Sequence, residues 1–140
     1  MTDNKSNGGL PDSGHRRSFS SGAHREMAPG KGRYDLISPI ALHELAKLLE
    51  KGALKYTVYD DDGNVIKQGE RNWELGLPLH SFVDSAMRHL SMLVKGDTDE
   101  DHAVAVFWNM MAFIHTREQI ANGVLPKHLD DLPHPHYRAS

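Results

Sequence analysis

The sequence predicts an all-α fold: a helical bundle carrying one small β-hairpin insert and assembled as an oligomer. Three observations carry this reading. Apolar residues recur at helical spacing in three segments, Ser-Pro, Pro and Gly signals bound those segments, and Asp62-Gly63 stands between β-favouring residues. A chain of 140 residues with 39% hydrophobic content is enough for one core. A domain of this size buries only about two thirds of its unfolded surface, which favours burial of further apolar area against a second copy.

The first helix is announced by Ser38 as N-cap and Pro39 at the first helical position, where a missing N–H costs nothing. Its stripe is Leu42, Leu45, Ala46, Leu49 and Ala53, and Gly52 loosens its last turn. The second follows Pro78, carries Phe82, Val83, Ala86, Met87, Leu90, Leu93 and Val94, and stops at Gly96. The third is expected to open at Asp97 or Thr98 and to run to about Ala121. It is apolar nearly all round, which places it centrally or between subunits. Between the first two helices, YTVYDDDGNVIKQGE reads as a hairpin insert over about residues 57–70, with Asp60, Asp61 and Asp62 as turn residues.

Residues 1–18 read as a disordered leader, 19–122 as the folded domain and 123–140 as a Pro-rich tail. Within 19–37, Arg25, Lys31 and Arg33 are interleaved with glycines, as in an arm that orders on an anion. A net charge of −3 is too balanced for a protein held on nucleic acid by phosphate neutralisation. No apolar run suits a signal peptide or a membrane span, so a cytoplasmic location with no membrane partner is expected. The absence of cysteine excludes disulfides, thiolate metal sites and cysteine nucleophiles. His134 and His136 in the tail read as solvated imidazoles.

Several chemical motifs begin and fail. His43-Glu44 opens like the zinc-protease helix, but Lys47 stands where the second histidine is needed. Asp101-His102 reverses the order of a His-Asp phosphohydrolase motif, and Gly30-Lys31-Gly32-Arg33 lacks the spacing and the hydroxyl of a phosphate-binding loop. What remains is a set of acidic side chains on helices. Glu44 shares a face with Lys51 and, if the helix continues through Gly52, with Lys55, Asp84 is followed at i+4 by Arg88 with His89 on the flank of the apolar face, and Glu100 and Asp101 precede His102 and Asn109. Each also has a simpler reading. Glu44 reads equally as one solvated charge, Asp84 with Arg88 as an exposed pair worth a few tenths of a kcal/mol, Glu100 and Asp101 as dipole partners, and His89 and His102 as hydrogen-bonded, half-buried histidines. If the carboxylates converge, oxygen ligands select Mg2+ or Mn2+, ions usually found bridging substrate phosphates. Lys55, Arg71 and Arg88 would then neutralise phosphate oxygens, with Tyr56 or Trp73 offering a flat surface for a base.

The ordered pieces SSGAHRE (20–26), GKGRYDLISP (30–39), ALHELA (41–46), EKGALKY (50–56), RNWELGLP (71–78), DSAMRHL (84–90) and DEDHAVAVFWN (99–109) span most of residues 20–120. In that order they resemble the MazG-like all-α nucleoside triphosphate pyrophosphohydrolases, and within them the phage dATP/dGTP diphosphohydrolase (MazZ-like) branch. The resemblance implies a MazG-like helical bundle, a homodimer or homotetramer, that uses Mg2+ or Mn2+ to release pyrophosphate from a purine deoxynucleoside triphosphate. It places metal ligands at Glu44, Asp84, Glu100 and Asp101, with Glu44 or Glu100 also accepting the proton of the attacking water. Nucleotide contacts fall to Arg33, Lys55, Asn72, Trp73, Arg88, His89 and Asn109.

The chain departs from the superfamily's paired acids at Lys47 and Met87, and its hairpin insert is longer than the family's usual link. Two alternatives stand beside this reading: a broad or housecleaning triphosphate pyrophosphatase, and a non-enzymatic helical oligomerisation module.

Overall fold

Ser38 caps the first helix with its side chain, its Oγ accepting from the Ala41 N–H at 3.1 Å, and Pro39 opens helix α1, Pro39–Tyr56. The helix runs on through Gly52, so Lys51 and Lys55 stay on one face. The computed structural model describes residues 16–26 and 29–133. Most of the expected leader, Met27 and Ala28 of the arm, and the tail from His134 onward, with His136, lie outside the described residues.

The chain divides between Ile37 and Ser38 into two units. In the first, strands β1, Arg16–Ser18, and β2, His24–Glu26, pair antiparallel with Arg17 opposite Arg25. The turn between them closes by the Phe19 N–H donating to Ala23 O at 3.0 Å, and Gly22 supplies a left-handed φ of 85°. This hairpin is an addition to the all-α expectation, and its first strand takes the last three residues assigned to the leader. Its sequence carries no apolar alternation, and all but Glu26 of its residues are exposed, so no pattern announces it.

In the second unit the expected hairpin forms from β3, Val58–Tyr59, and β4, Val65–Lys67, around Asp60–Gly63. Asp60 accepts from the backbone N–H groups of Asn64 and, more weakly, Asp62, which makes it a turn residue and holds its carboxyl below the usual range. Helix α2, Leu79–Lys95, ends where Gly96 turns left-handed, as expected. Helix α3 spans His102–Ala121. Its start lies later than Asp97 or Thr98, because the Asp101 carboxylate accepts from the Val104 N–H at 3.1 Å and takes the capping role itself. Glu100 is therefore in the link before the helix and outside its first turn.

Contacts pairing His89 with His102 and Ser85 with Asn109 run in opposite senses along α2 and α3, so the two helices are antiparallel. The core between them is small: Leu79, Phe82 and Ala112, flanked by Trp73, Trp108, Phe113, Ile120 and Leu132. The buried seam of α3 is His102, Asn109, Ala112 and Thr116, while Phe107 and Ile114 are exposed. Helix α3 is central, packing on both α1 and α2, yet it turns polar and small residues inward.

Two features position the segment between β4 and α2. Gly69 is buried against the end of α1, where a Cβ would stand 2.2 Å from Ala53 O and 2.5 Å from Thr57 N. Its N–H donates to Thr57 Oγ1 at 3.0 Å, and that hydroxyl donates to Ala53 O at 2.7 Å. Farther on, Leu125 and Leu129 close on Gly76, and the Asp131 carboxylate accepts from the His80 backbone N–H at 3.0 Å and engages its ring Nδ1. Asp131 thus supplies the cap that Pro78 cannot, from 51 residues away.

Candidate active site

Beside this frame lies a cleft of about 810 Å³ between α1, the Gly69–Leu77 segment, α2 and α3. Helix α1 gives it Lys51, Lys55 and Tyr56, one helical face kept intact through Gly52. The segment after β4 gives Glu70, Arg71, Asn72, Trp73 and Glu74. Arg71 adopts a left-handed φ of 56°, unusual for a side chain of its size, and donates to Glu74 at 2.6 Å. Such backbone conformations cost on the order of 1–3 kcal/mol and tend to sit where function needs a side chain aimed.

The Trp73 ring stands edge-on to His115 at 4.9 Å between centroids and to Trp108 at 6.2 Å. Both contacts are close to perpendicular, and together they hold the indole in place beside the cleft. Helix α2 contributes Ser85 and His89, and α3 contributes Asn109, which is nearly fully buried and donates from Nδ2 to Ala105 O at 2.8 Å and to Ser85 Oγ at 3.3 Å. The lining balances Lys51, Lys55 and Arg71 against Glu70, Glu74 and Glu100, but among the described residues Lys51 and Lys55 have no carboxylate partner, which leaves two ammonium groups available to an anion.

At the α2–α3 end, His89, Glu100 and His102 bring one ligand atom each within 4.8 Å of one another. His89 Nδ1 is 2.9 Å from His102 Nδ1 and 3.1 Å from Glu100 Oε1, and His102 Nδ1 is 3.5 Å from the same oxygen. His102, 1% exposed, donates from Nε2 to Asp99 at 2.8 Å. That bond holds the Asp99 carboxyl below its usual range.

The expected site residues separate accordingly. Lys55, Asn72, Trp73, His89, Glu100 and Asn109 come together on the cleft. Glu44 shares the stripe of Lys51 and Lys55 but lies seven and eleven residues away along the axis, roughly 10 and 16 Å. It pairs with Lys47 at 2.9 Å and does not line the cleft. Asp84 and Arg88 bond to each other at 2.8 Å on an exposed stripe one residue round from Ser85 and His89, again outside the cleft. Asp101 is occupied as the α3 cap. Arg33 belongs to the first unit, where it forms two bonds to Asp35 at 2.8 and 2.7 Å. Ser85, His115 and the role of Asp99 escaped the sequence reading. The seven-residue step from His102 to Asn109 was the available signal, since it put both on the buried face.

A mostly helical domain whose cleft joins lysines, an indole and side chains able to ligate a metal is suited to a phosphorylated molecule that carries an aromatic ring. The family described as dATP/dGTP diphosphohydrolase, N-terminal, matches residues 21–123, and the chain belongs to this family, whose members are nucleoside triphosphate diphosphohydrolases. No curated protein and no solved structure matches the chain significantly.

Proposed function

We propose that the cleft binds dATP or dGTP and hydrolyses it to the deoxynucleoside monophosphate and pyrophosphate with the help of Mg2+ or Mn2+, adjusting a nucleotide pool in the cytoplasm, as a phage would require. The observation that carries this reading is the convergence of Lys51, Lys55, Trp73, Glu100 and Asn109 on one cleft in a chain of this family. The donor set fits a divalent cation: a carboxylate and two imidazoles lie close together at the cleft's end. A bound cation there supplies Lewis-acid polarisation of the phosphoryl oxygens.

The chain's own residues account for the rest. Lys51, Lys55 and Arg71 stabilise the negative charge that accumulates on the phosphate oxygens and the departing pyrophosphate. Glu100 accepts the proton of the water that attacks the α-phosphorus. The face of Trp73 carries the purine, and Asn109, whose amide nitrogen is already used, offers its oxygen to a donor on the nucleotide.

The active form is proposed to be a dimer or tetramer. Met87, Leu90 and Val94 form one stripe of α2 that is 67%, 49% and 83% exposed, an apolar face left without cover among the described residues. A screen of all natural dNTPs and NTPs with product identification tests the reading. Pyrophosphate with dAMP or dGMP supports it, activity confined to pyrimidine or noncanonical triphosphates favours a housecleaning enzyme, and an intact oligomer that binds neither nucleotide nor metal favours a structural module.

A further inference from the structure

The arrangement at the head of α3 is more specific than a generic acidic site. His102 donates its Nε2–H to Asp99 at 2.8 Å, so its Nδ1 carries a lone pair aimed at His89 and Glu100. His102 is enclosed, while Glu100 and half-buried His89 open onto the cleft. The three donor atoms form a triangle with edges of 2.9, 3.1 and 3.5 Å. Two ligands at right angles around an ion, with bonds of roughly 2.0–2.1 Å, stand about 2.9 Å apart, and tetrahedral ligands at such bond lengths about 3.3 Å. Two of the observed edges, 2.9 and 3.1 Å, fall in that range, and the third, 3.5 Å, is slightly longer. The triangle therefore has the dimensions of one face of a coordination polyhedron, with its remaining positions turned to the cleft.

We propose that His89, Glu100 and His102 form a two-imidazole, one-carboxylate cap for a first-row transition-metal ion, with Asp99 as the positioning residue that fixes the His102 tautomer. Nitrogen donors separate such ions from Mg2+, which prefers an all-oxygen, strongly hydrated shell. The cap departs from the four-carboxylate set expected from sequence, since Glu100 is its only member from that set. The proposal deepens the reading of the cleft as a triphosphate site and rests on it for the use of the open positions, but the binding of the ion itself is independent of turnover.

The test is Mn2+ binding to the full chain without nucleotide, followed by electron paramagnetic resonance, with circular dichroism as the folding control. One Mn2+ per chain is expected, retained against a tenfold excess of Mg2+. The variants H89Q and E100Q should weaken binding at least tenfold, and D99N by about 10–100-fold, the range typical of a lost carboxylate behind a ligating histidine. H89Q and D99N keep the test sound if substitution of enclosed His102 disturbs folding. Unchanged Mn2+ affinity in H89Q and D99N, or displacement of Mn2+ by equimolar Mg2+, overturns the cap. Mg2+-supported dGTP hydrolysis that persists in an H89Q chain unable to bind Mn2+ upholds the cap as a metal site, shows that turnover does not require it, and leaves the proposed function standing. Mn2+ held by the three residues in a chain that hydrolyses no triphosphate upholds the cap and contradicts the function.

Discussion

His89 and His102 face each other through their Nδ1 atoms at 2.9 Å across the α2–α3 hairpin, with Glu100 within reach of both. Two imidazole nitrogens at that distance share one proton, so the pair is a preformed juncture between the helices as well as the closed end of the cleft. Replacing His89 by Gln should lower dGTP turnover at least tenfold while far-ultraviolet circular dichroism stays that of the parent. Equal turnover would remove the juncture from the reaction.

Gly69 has no room for a side chain, because backbone atoms of Ala53, Tyr56 and Thr57 occupy the space a Cβ would need. Backbone cannot step aside as a flexible side chain can, so Gly69→Ala should cost about 1–3 kcal/mol of stability. It should also shift Arg71, Asn72 and Trp73, raising KM. Chemical denaturation together with steady-state kinetics checks both effects, and a fully stable, fully active variant would contradict the anchoring role.

Arg71 separates function from fold. Its left-handed backbone is better suited to glycine, so Arg71→Gly should leave stability within about 1 kcal/mol of the parent. The loss of a cation from the cleft should nevertheless raise KM for the triphosphate by tenfold or more. Unchanged kinetics would show that Arg71 serves only its bond to Glu74.

Asp131 sets an acid limit on stability. The His80 backbone N–H and ring beside it hold its folded carboxyl below the usual carboxylate range. A lowered folded pKa means that its contribution is fully present above the ordinary carboxylate pKa, roughly 3.9. The contribution disappears as pH falls through the lower folded value. Asp131→Asn should therefore lower Tm at pH 7, by an amount that shrinks as pH falls through the folded value and the parent loses the charge. A constant difference across that range would contradict the assignment.

Glu44 distinguishes a site built within one chain from one shared between chains. Paired with Lys47 and outside the cleft, it predicts that Glu44→Gln keeps turnover within about threefold of the parent. A loss comparable to that of Glu100→Gln would place Glu44 in a site completed by a second copy.

Local chemistry was legible in the sequence wherever one residue decides a structure. Ser38-Pro39 begins α1, Gly96 ends α2, and Asp62-Gly63 turns the hairpin, each by a conformation or hydrogen bond that few other residues supply. The start of α3 was less legible, because Asp97, Thr98 and Asp101 are all competent caps and tertiary packing chose the last. Angular position was read correctly for Glu44, Lys51 and Lys55, but helical periodicity does not report which turn of a helix borders a cleft. The meeting of His89, Glu100 and His102 depends on the pairing of α2 with α3 and on where α3 begins, so the apolar pattern held no trace of it.

The measurement that bears most directly on the central claim is hydrolysis of dGTP and dATP in 18O-labelled water by the parent and by Glu100→Gln, with mass analysis of both products. One labelled oxygen is expected in the deoxynucleoside monophosphate and none in the pyrophosphate, and the variant should react at least a hundredfold more slowly. Label in the pyrophosphate, release of orthophosphate as the first product, or equal rates for the two chains would contradict that claim.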